Sequence, residues 1–409
     1  MSSEINPARP LMMHIDLNSC FATIEQQSRP LLRNRPVAVV NRRTEKTAII
    51  TASYEAKAYG IKTGMKYTDA KLLCPDLVAL ESDPPKYRWV YRRLMAILQD
   101  YSPIAKMKSI DEGVIDLSLA PPEVRDRDVM EIGREIKLRL RQEIGEYMRC
   151  NVGIGTNRFL AKTAAGMNKP DGLTVVDAVT LRQMYEKLKL EDLTGIAGGY
   201  SRRLRQLGIM TPLQFLDADE MTLEKLVFRG KPGRDWYRRL RGWEVDADDH
   251  ELKSVGRQFV LDECGLGYDE VLRRFHSLSE DVAAKLRSQS AWAIGVRVYA
   301  KTYHSGRWQR YVRREQAFHD EATLFELVRG LVQFAPLPAY EIGVTCYSLT
   351  SSCNDQMLLF GDEEKIESRT LAIDNINTVY GDHMIHSADT IGLNGRMARK
   401  IPFGSVRYL

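Results

Sequence analysis

The chain has 409 residues, 44% of them apolar and 28% charged, with a formal net charge of +5 at pH 7. That apolar share is ordinary for a globular protein, which argues against long disorder; at ~100–200 residues per domain it suggests two to four domains. No run approaches the ~18–20 uninterrupted apolar residues of a membrane span, the N-terminus MSSEINPARP has no apolar secretory region, and the scattered cysteines form no CxxC, so no membrane partner, zinc cage or disulfide framework is expected and a reducing cytoplasm fits. In chain order, Leu11–Leu17 predicts a buried strand reaching Asp16, and Asn18–Gln27 a helix. Pro36–Asn41 and Ala48–Ala52 are β-branched strand candidates, and Tyr54–Tyr59 and Tyr67–Leu73 short helices. Lys86–Asp100 predicts a longer helix. Ile104–Leu117 predicts two strands with Asp111-Glu112-Gly113 near their junction. Glu123–Met148 carries Val129, Ile132, Ile136, Leu140 and Ile144 at helical spacing. Asn151–Gly155 predicts a strand, and Thr156 or Asn157 caps a helix running to about Met167. Without the inserted 36–73 segment this order approximates a split β-α-β-β-α-β sheet, able to hold acids from neighbouring strands on one edge.

Leu193–Leu216 reads as a different unit. Gly195, Gly198 and Gly199 suggest a small-residue turn before a basic helix, and Thr211-Pro212 starts another. Such a helix–hairpin–helix offers backbone amides to a phosphate without reading base sequence. His250–Gln258 reads as a linker. Val271–Arg287 and Thr323–Phe334 read as helices, and Trp292–Tyr303, Gln309–Phe318 and Ala339–Leu349 as strands, giving a second, smaller α+β domain. One plausible helix, Glu364–Tyr380, remains beyond it. Charge is uneven: Lys225–Arg241 holds seven basic residues and one acid, and Ala291–Arg314 six basic residues and no acid. Aromatics interleave both runs, as suits a polyanion, although such rings also simply pack.

Three acids near one sheet edge suggest metal chemistry. Mg²⁺ prefers oxygen ligands and is held by one or two carboxylates plus substrate phosphates. Two such ions activate an attacking oxygen and stabilise a leaving one. Asp111 and Glu112 lie between apolar or small strand residues, where burying two acids is costly without a cation.

HIDLNSCFATIE (His14–Glu25), TASYEAKAYGIKTGM (Thr51–Met65), SIDEGVIDLS (Ser109–Ser118) and NVGIGTNRFLAKTAAGMNKPDGL (Asn151–Leu173) resemble, in order and spacing, the motifs of Y-family translesion DNA polymerases. The bacterial DNA polymerase IV branch is the nearest in pattern. The resemblance covers about Leu11 to Leu349. It implies an α+β multidomain right-hand polymerase: palm at 10–19 and 84–175, fingers at 20–83, a helical thumb at 176–243, a linker at 244–253, a little finger at 254–350 and a tail at 351–409. It implies low-fidelity, template-directed DNA synthesis past damaged bases; no segment is left over for a proofreading exonuclease. Asp16, Asp111 and Glu112, with the Leu17 carbonyl, would bind two Mg²⁺ ions, with Mn²⁺ a possible substitute. Phe21 would be the steric gate against a ribose 2′-OH. Thr51, Tyr54, Lys57 and Lys169 would lie at the incoming deoxynucleoside triphosphate. Gly195, Gly198 and Gly199 of the thumb, with Arg257, Arg297, Lys301, Arg310, Arg313 and Arg314 of the little finger, would meet primer–template DNA. Gln356, Leu359 and Phe360, in QMLLF, resemble the peptide by which bacterial polymerases bind the sliding clamp. A monomer is expected.

The chain departs from the family pattern in several places. Asn18 stands where a second Asp is common, Cys20 where an aromatic precedes the gate, Lys57 for Arg, Gly113-Val114 for Ala-Tyr, and Ile50 for a smaller residue. Cys20 predicts a less well buttressed Phe21 ring. Two other classes remain to be weighed: a non-catalytic clamp-bound scaffold, disfavoured by the three acids, and a palm-fold nucleotide cyclase, which has no use for two basic domains.

Overall fold

The computed structural model describes residues 4–42, 44, 47–246, 252–261, 263, 265–303, 306–351, 363–381, 383–393 and 397. They divide into two units, one of residues 4–246 and one of residues 252–397. Strands of the first are β1 (Met12–Leu17), β2 (Val37–Val40), β3 (Ile49–Ala52), β4 (Val78–Glu81), β5 (Ala105–Met107), β6 (Glu112–Asp116), β7 (Cys150–Gly155) and β8 (Leu173–Val175); those of the second are β9 (Ser254–Val260), β10 (Trp292–Thr302), β11 (Gly306–Phe318) and β12 (Glu341–Thr350). Among the described residues no helix is long and apolar enough to cross a membrane.

The main sheet of the first unit has the order β5-β6-β1-β7-β8. β1 runs antiparallel to both β6 and β7, and β8 adds a parallel edge to β7 that the split-sheet expectation lacks. β1 is buried almost throughout, and its two faces do different work. Met13, Ile15 and Leu17 pack with Leu94, Ile97, Ile132 and Ile136 of the helices Pro84–Gln99 and Val129–Glu143. Met12 points to the other face, against Val114 and Ala161, so alternation puts His14 and Asp16 there too. That face is covered by the helix Arg158–Gly166, which Asn157 caps by accepting the Leu160 amide at 2.7 Å. Gly153 is what lets this helix lie on β7: a Cβ there would overlap the backbone of Ala161 and Ala165.

A smaller sheet, β3-β2-β4, includes a strand, Val78–Glu81, that the sequence pattern does not announce. The single helix expected over Glu123–Met148 is instead two, Pro122–Arg125 and Val129–Glu143. The break falls where the Asp128 carboxylate accepts the Met130 amide at 2.9 Å and so caps a new start. In the helical segment, Gly198 and Gly199 are not in a turn; they open the helix Gly198–Gln206, and of the three glycines only Gly195 has a positive φ, +98°. Thr211 and Gln214 form a capping box over Pro212–Asp217. These helices pack around Leu204, Phe215, Trp236 and Leu240.

The second unit is one antiparallel sheet, β11-β10-β12-β9, with the helices Tyr268–Ser288 and Glu321–Val332 on one face. Residues 254–258, read as linker, belong to β9, because their side chains alternate between the helix-covered and open faces. Part of the expected tail packs here as well. The helix Glu363–Tyr380 is held by Arg287 Nη2 on Asp374 Oδ1 at 2.8 Å, and the Ser387 amide donates to Glu280 Oε1 at 2.7 Å. Gln356, Leu359 and Phe360 lie outside the described residues.

Candidate active site

Backbone pairing assembles the acids. β1 and β6 place Asp16 directly opposite Glu112, and the Leu17 amide donates to the Asp111 carbonyl at 2.9 Å. Asp111 immediately precedes β6, so all three carboxyls meet at one sheet edge. Gly113 fits this edge because a Cβ there would overlap the Leu98 side chain. Burial pushes the Asp16 and Asp111 carboxyls above the usual carboxylate range, with the neighbouring acids adding to the effect. Three facts oppose that cost. The Lys169 ammonium sits on Asp16 Oδ2, the Lys162 ammonium reaches Glu112 Oε2 at 2.6 Å, and the Ser109 hydroxyl donates to Asp111 Oδ1. His14, 3.8 Å from Glu112, is lowered to about 4 by burial and is neutral at pH 7. The donor set is therefore hard oxygen, partly buried and electrostatically strained, which is the chemistry a dication relieves.

The segment 18–23 gathers the other predicted groups. The Asn18 side chain donates to Asn151 Oδ1 at 2.9 Å and accepts the Asp171 amide at 2.8 Å, while Asn151 donates to the Ala165 and Met167 carbonyls. The loop carrying Lys169 is thus pinned to the end of β1. An Asp in place of Asn18 could not donate to Asn151, so this departure has a local reason. Lys57 donates to the Ser19 hydroxyl at 2.8 Å and lies 4.6 Å over the Tyr54 ring. Burial, then the Asp16 charge, pushes the Tyr54 hydroxyl up to about 12, and burial plus the Lys169 charge lowers Lys57. Two ammonium groups and a neutral phenol therefore face the acids, as suits a polyanionic substrate. Thr51 lies on β3 opposite Val39, and Ile50 beside it is buried. Phe21 is 5% exposed and stacks on Tyr87 at 4.3 Å between centroids. The ring is therefore well backed despite Cys20, contrary to expectation. Tyr87 is held in turn by its hydroxyl on Glu25 Oε1 at 2.9 Å.

Sequence reasoning missed Lys162, Asn151 and Tyr87. Lys162 sits inside the fourth motif on the helix Arg158–Gly166, and a lysine on the helix that follows the strand paired with β1 was the signal that could have found it. In the second unit, strand register sorts the basic residues. Arg257 is opposite Val344 on the helix-covered face, where it pairs with buried Asp281. Arg310 is opposite Val298 on that same face, over the Phe334 ring at 4.8 Å. Arg297, Lys301 and Arg313 share the open face, with Arg307 opposite Lys301; Lys301 also pairs with Glu341 at 2.9 Å. Arg314 is exposed. In the helical segment nothing lies within 4 Å of a Cβ built on Gly198 or Gly199, so that backbone is open to approach, whereas Gly195 faces the Trp236 ring.

Residues 15–166 match the impB/mucB/samB family, and residues 252–359 match the impB/mucB/samB family C-terminal domain. The chain is 30% identical over 351 residues to a DNA polymerase IV of Staphylococcus epidermidis, covering 83% of this chain and 96% of that one. It is 32% identical over 286 residues to a DNA polymerase IV of Bacillus velezensis, covering 69% and 68%. Among solved structures, a Y-family DNA polymerase chimera of Dbh and Dpo4 superposes with a TM-score of 0.70 at 23% identity, over 83% of this chain and 99% of that one. An insertion ternary complex of Dbh DNA polymerase gives 0.59 at 22%, over 82% and 98%. An α+β multidomain fold, an acid-lined sheet edge faced by ammonium groups, and these two family matches converge: the chain belongs to the impB/mucB/samB family of Y-family polymerases and is a DNA-directed DNA polymerase of the metal-dependent, low-fidelity translesion kind.

Proposed function

We propose that the edge formed by Asp16, Asp111 and Glu112, with the Leu17 carbonyl, holds two Mg²⁺ ions and that nucleotidyl transfer takes place there. The Asp16–Glu112 register pair carries this reading, because it brings Glu112, and Asp111 just before it, to the edge that Asp16 occupies, where burial makes ionising Asp16 and Asp111 costly. When bound, the ions would activate the primer 3′-oxygen and neutralise charge on the triphosphate as pyrophosphate leaves. The chain's own residues do the rest. Lys57 and Lys169 hold the triphosphate as point charges, Tyr54 donates a hydrogen bond to it, and Thr51 lies beside it. Phe21, fixed by Tyr87, occupies the volume a 2′-OH needs.

In this reading the five-stranded sheet is the palm, the three-stranded sheet the fingers, residues 176–243 the thumb and the second unit the little finger. Primer–template phosphates meet the open face of the second unit's sheet through Arg297, Lys301, Arg307 and Arg313, and the backbone at Gly198-Gly199. Arg257 leaves the set, since its side chain pairs with buried Asp281, while Arg310 is exposed but turned to the opposite face from Arg313. QMLLF binds the bacterial sliding clamp, and the enzyme works as a monomer. The test is primer extension opposite undamaged and damaged template bases, with Mg²⁺, with Mn²⁺ and with chelator, using ribo- and deoxyribonucleotides in parallel. Extension that survives chelation, or that persists in Asp111→Ala, overturns the assignment of the acids.

A further inference from the structure

In the second unit, His276 and Glu280 stand four residues apart on the helix Tyr268–Ser288 and so share one face. They are 5% and 8% exposed. Glu321, the first residue of the helix Glu321–Val332, reaches across to them, with His276 Nε2 2.7 Å from Glu321 Oε1. One potential ligand atom from each of the three lies within 4.8 Å of the other two. Burying such groups is tolerable only when they are fully partnered, and here the partnering is incomplete. Glu280 Oε1 accepts from the Ser387 amide and from Thr390 Oγ1, but Glu280 Oε2 and His276 Nδ1 have no hydrogen-bond partner. The titratable groups beside those two atoms are His383 Nδ1, 3.9 Å from Oε2, and Asp389 Oδ2, 3.4 Å from Nδ1. The Phe325 ring stacks on the imidazole at 3.6 Å and fixes its plane.

We propose that His276, Glu280 and Glu321 form a divalent-cation site, separate from the catalytic acids, that ties the two helices and the 387–390 segment together. One imidazole and two carboxylates suit Zn²⁺. Ligand atoms at about 2.1 Å from a tetrahedral ion lie about 3.4 Å from one another, so a set spread over no more than 4.8 Å closes on the ion by side-chain rotation. The fourth position falls to water. Mg²⁺ is a poor occupant because it prefers all-oxygen, octahedral surroundings.

The test titrates Zn²⁺ into full-length, chelator-stripped protein in excess Mg²⁺, which saturates the catalytic acids, and follows heat of binding and thermal unfolding. One saturable Zn²⁺ equivalent and an upward shift of the unfolding transition are expected. Glu280→Gln and Glu321→Gln should each weaken binding by more than the ~10-fold loss typical of removing a mere supporting group, and should abolish the shift while primer extension in Mg²⁺ persists. Glu321 is 35% exposed, so Glu321→Gln keeps the question open to measurement even where Glu280→Gln disturbs folding. Absence of a saturable equivalent, or wild-type affinity in Glu321→Gln, overturns the proposal.

Discussion

Asp111 and Glu112 are adjacent in sequence yet differently compensated: Asp111 has a neutral hydroxyl, Glu112 an ammonium. Asp111→Ala should leave DNA binding nearly intact and cut turnover by several orders of magnitude, measured by single-turnover primer extension. Asp111→Asn makes a second, opposite point about stability. A carboxyl whose folded value is raised above its ordinary 3.8 binds its proton more tightly when folded, so stability falls as pH rises from the ordinary value through the folded one. At neutral pH without divalent ions, Asp111→Asn should therefore be more stable than wild type, by on the order of 1 kcal/mol, with the gap closing below about pH 4. Thermal melts across pH check this, and a gap that widens in acid contradicts it. Phe21→Ala should raise ribonucleotide use. A 2′-OH clash worth roughly 1–3 kcal/mol corresponds to about one to two decades in the ratio of kcat/KM values. An unchanged ratio would mean that another residue guards the sugar. The acids and Phe21 were legible because each holds a set place in a motif, Asp16 and Phe21 in the first and Asp111-Glu112 in the third. Tyr87 was not, because a ring that arrives from a helix more than sixty residues away leaves no local pattern.

At the scale of elements, period-two alternation sorts the arginines of β11 between the two faces of its sheet. A basic run read as a whole treats Arg310, Arg313 and Arg314 alike, whereas pairing separates Arg310 from Arg313 by face. Replacing Arg307 and Arg313 by Ala should weaken binding similarly for all DNA sequences and flatten the salt dependence by up to ~0.9 in slope for each phosphate no longer neutralised. Arg310→Ala should leave that slope near wild type and act through weaker packing on Phe334 instead. Equal slopes for the two variants would contradict the assignment of faces. The same scale explains the helix that broke. Val129–Ile144 keeps its apolar stripe, but Asp128 competes for the backbone amides and restarts the helix, a local effect the wider periodicity hides.

For the whole molecule, order and type of the long elements were legible, while short edge strands such as β4 and β8 were not, since three or four residues carry too little pattern to stand out. The QMLLF peptide makes a prediction at this scale. Leu359→Ala with Phe360→Ala should abolish clamp-stimulated synthesis and spare distributive synthesis, because buried apolar anchors typically cost on the order of 2 kcal/mol or more when truncated. Loss of both activities together would place the peptide in the fold. The lysines that reach the acids on the sheet edge have a broader effect. Lys162 and Lys169 are tethered counter-ions, each competing with any diffusible cation at an effective concentration set by its short side chain. The metal requirement of the enzyme is then a contest between a free dication and a leashed monocation. Lys162→Ala should lower the divalent-cation concentration needed for half-maximal activity even as it lowers the maximum itself, and a titration of primer extension with Mg²⁺ checks this: an unchanged half-maximal concentration would mean that the ammonium does not compete with the ion.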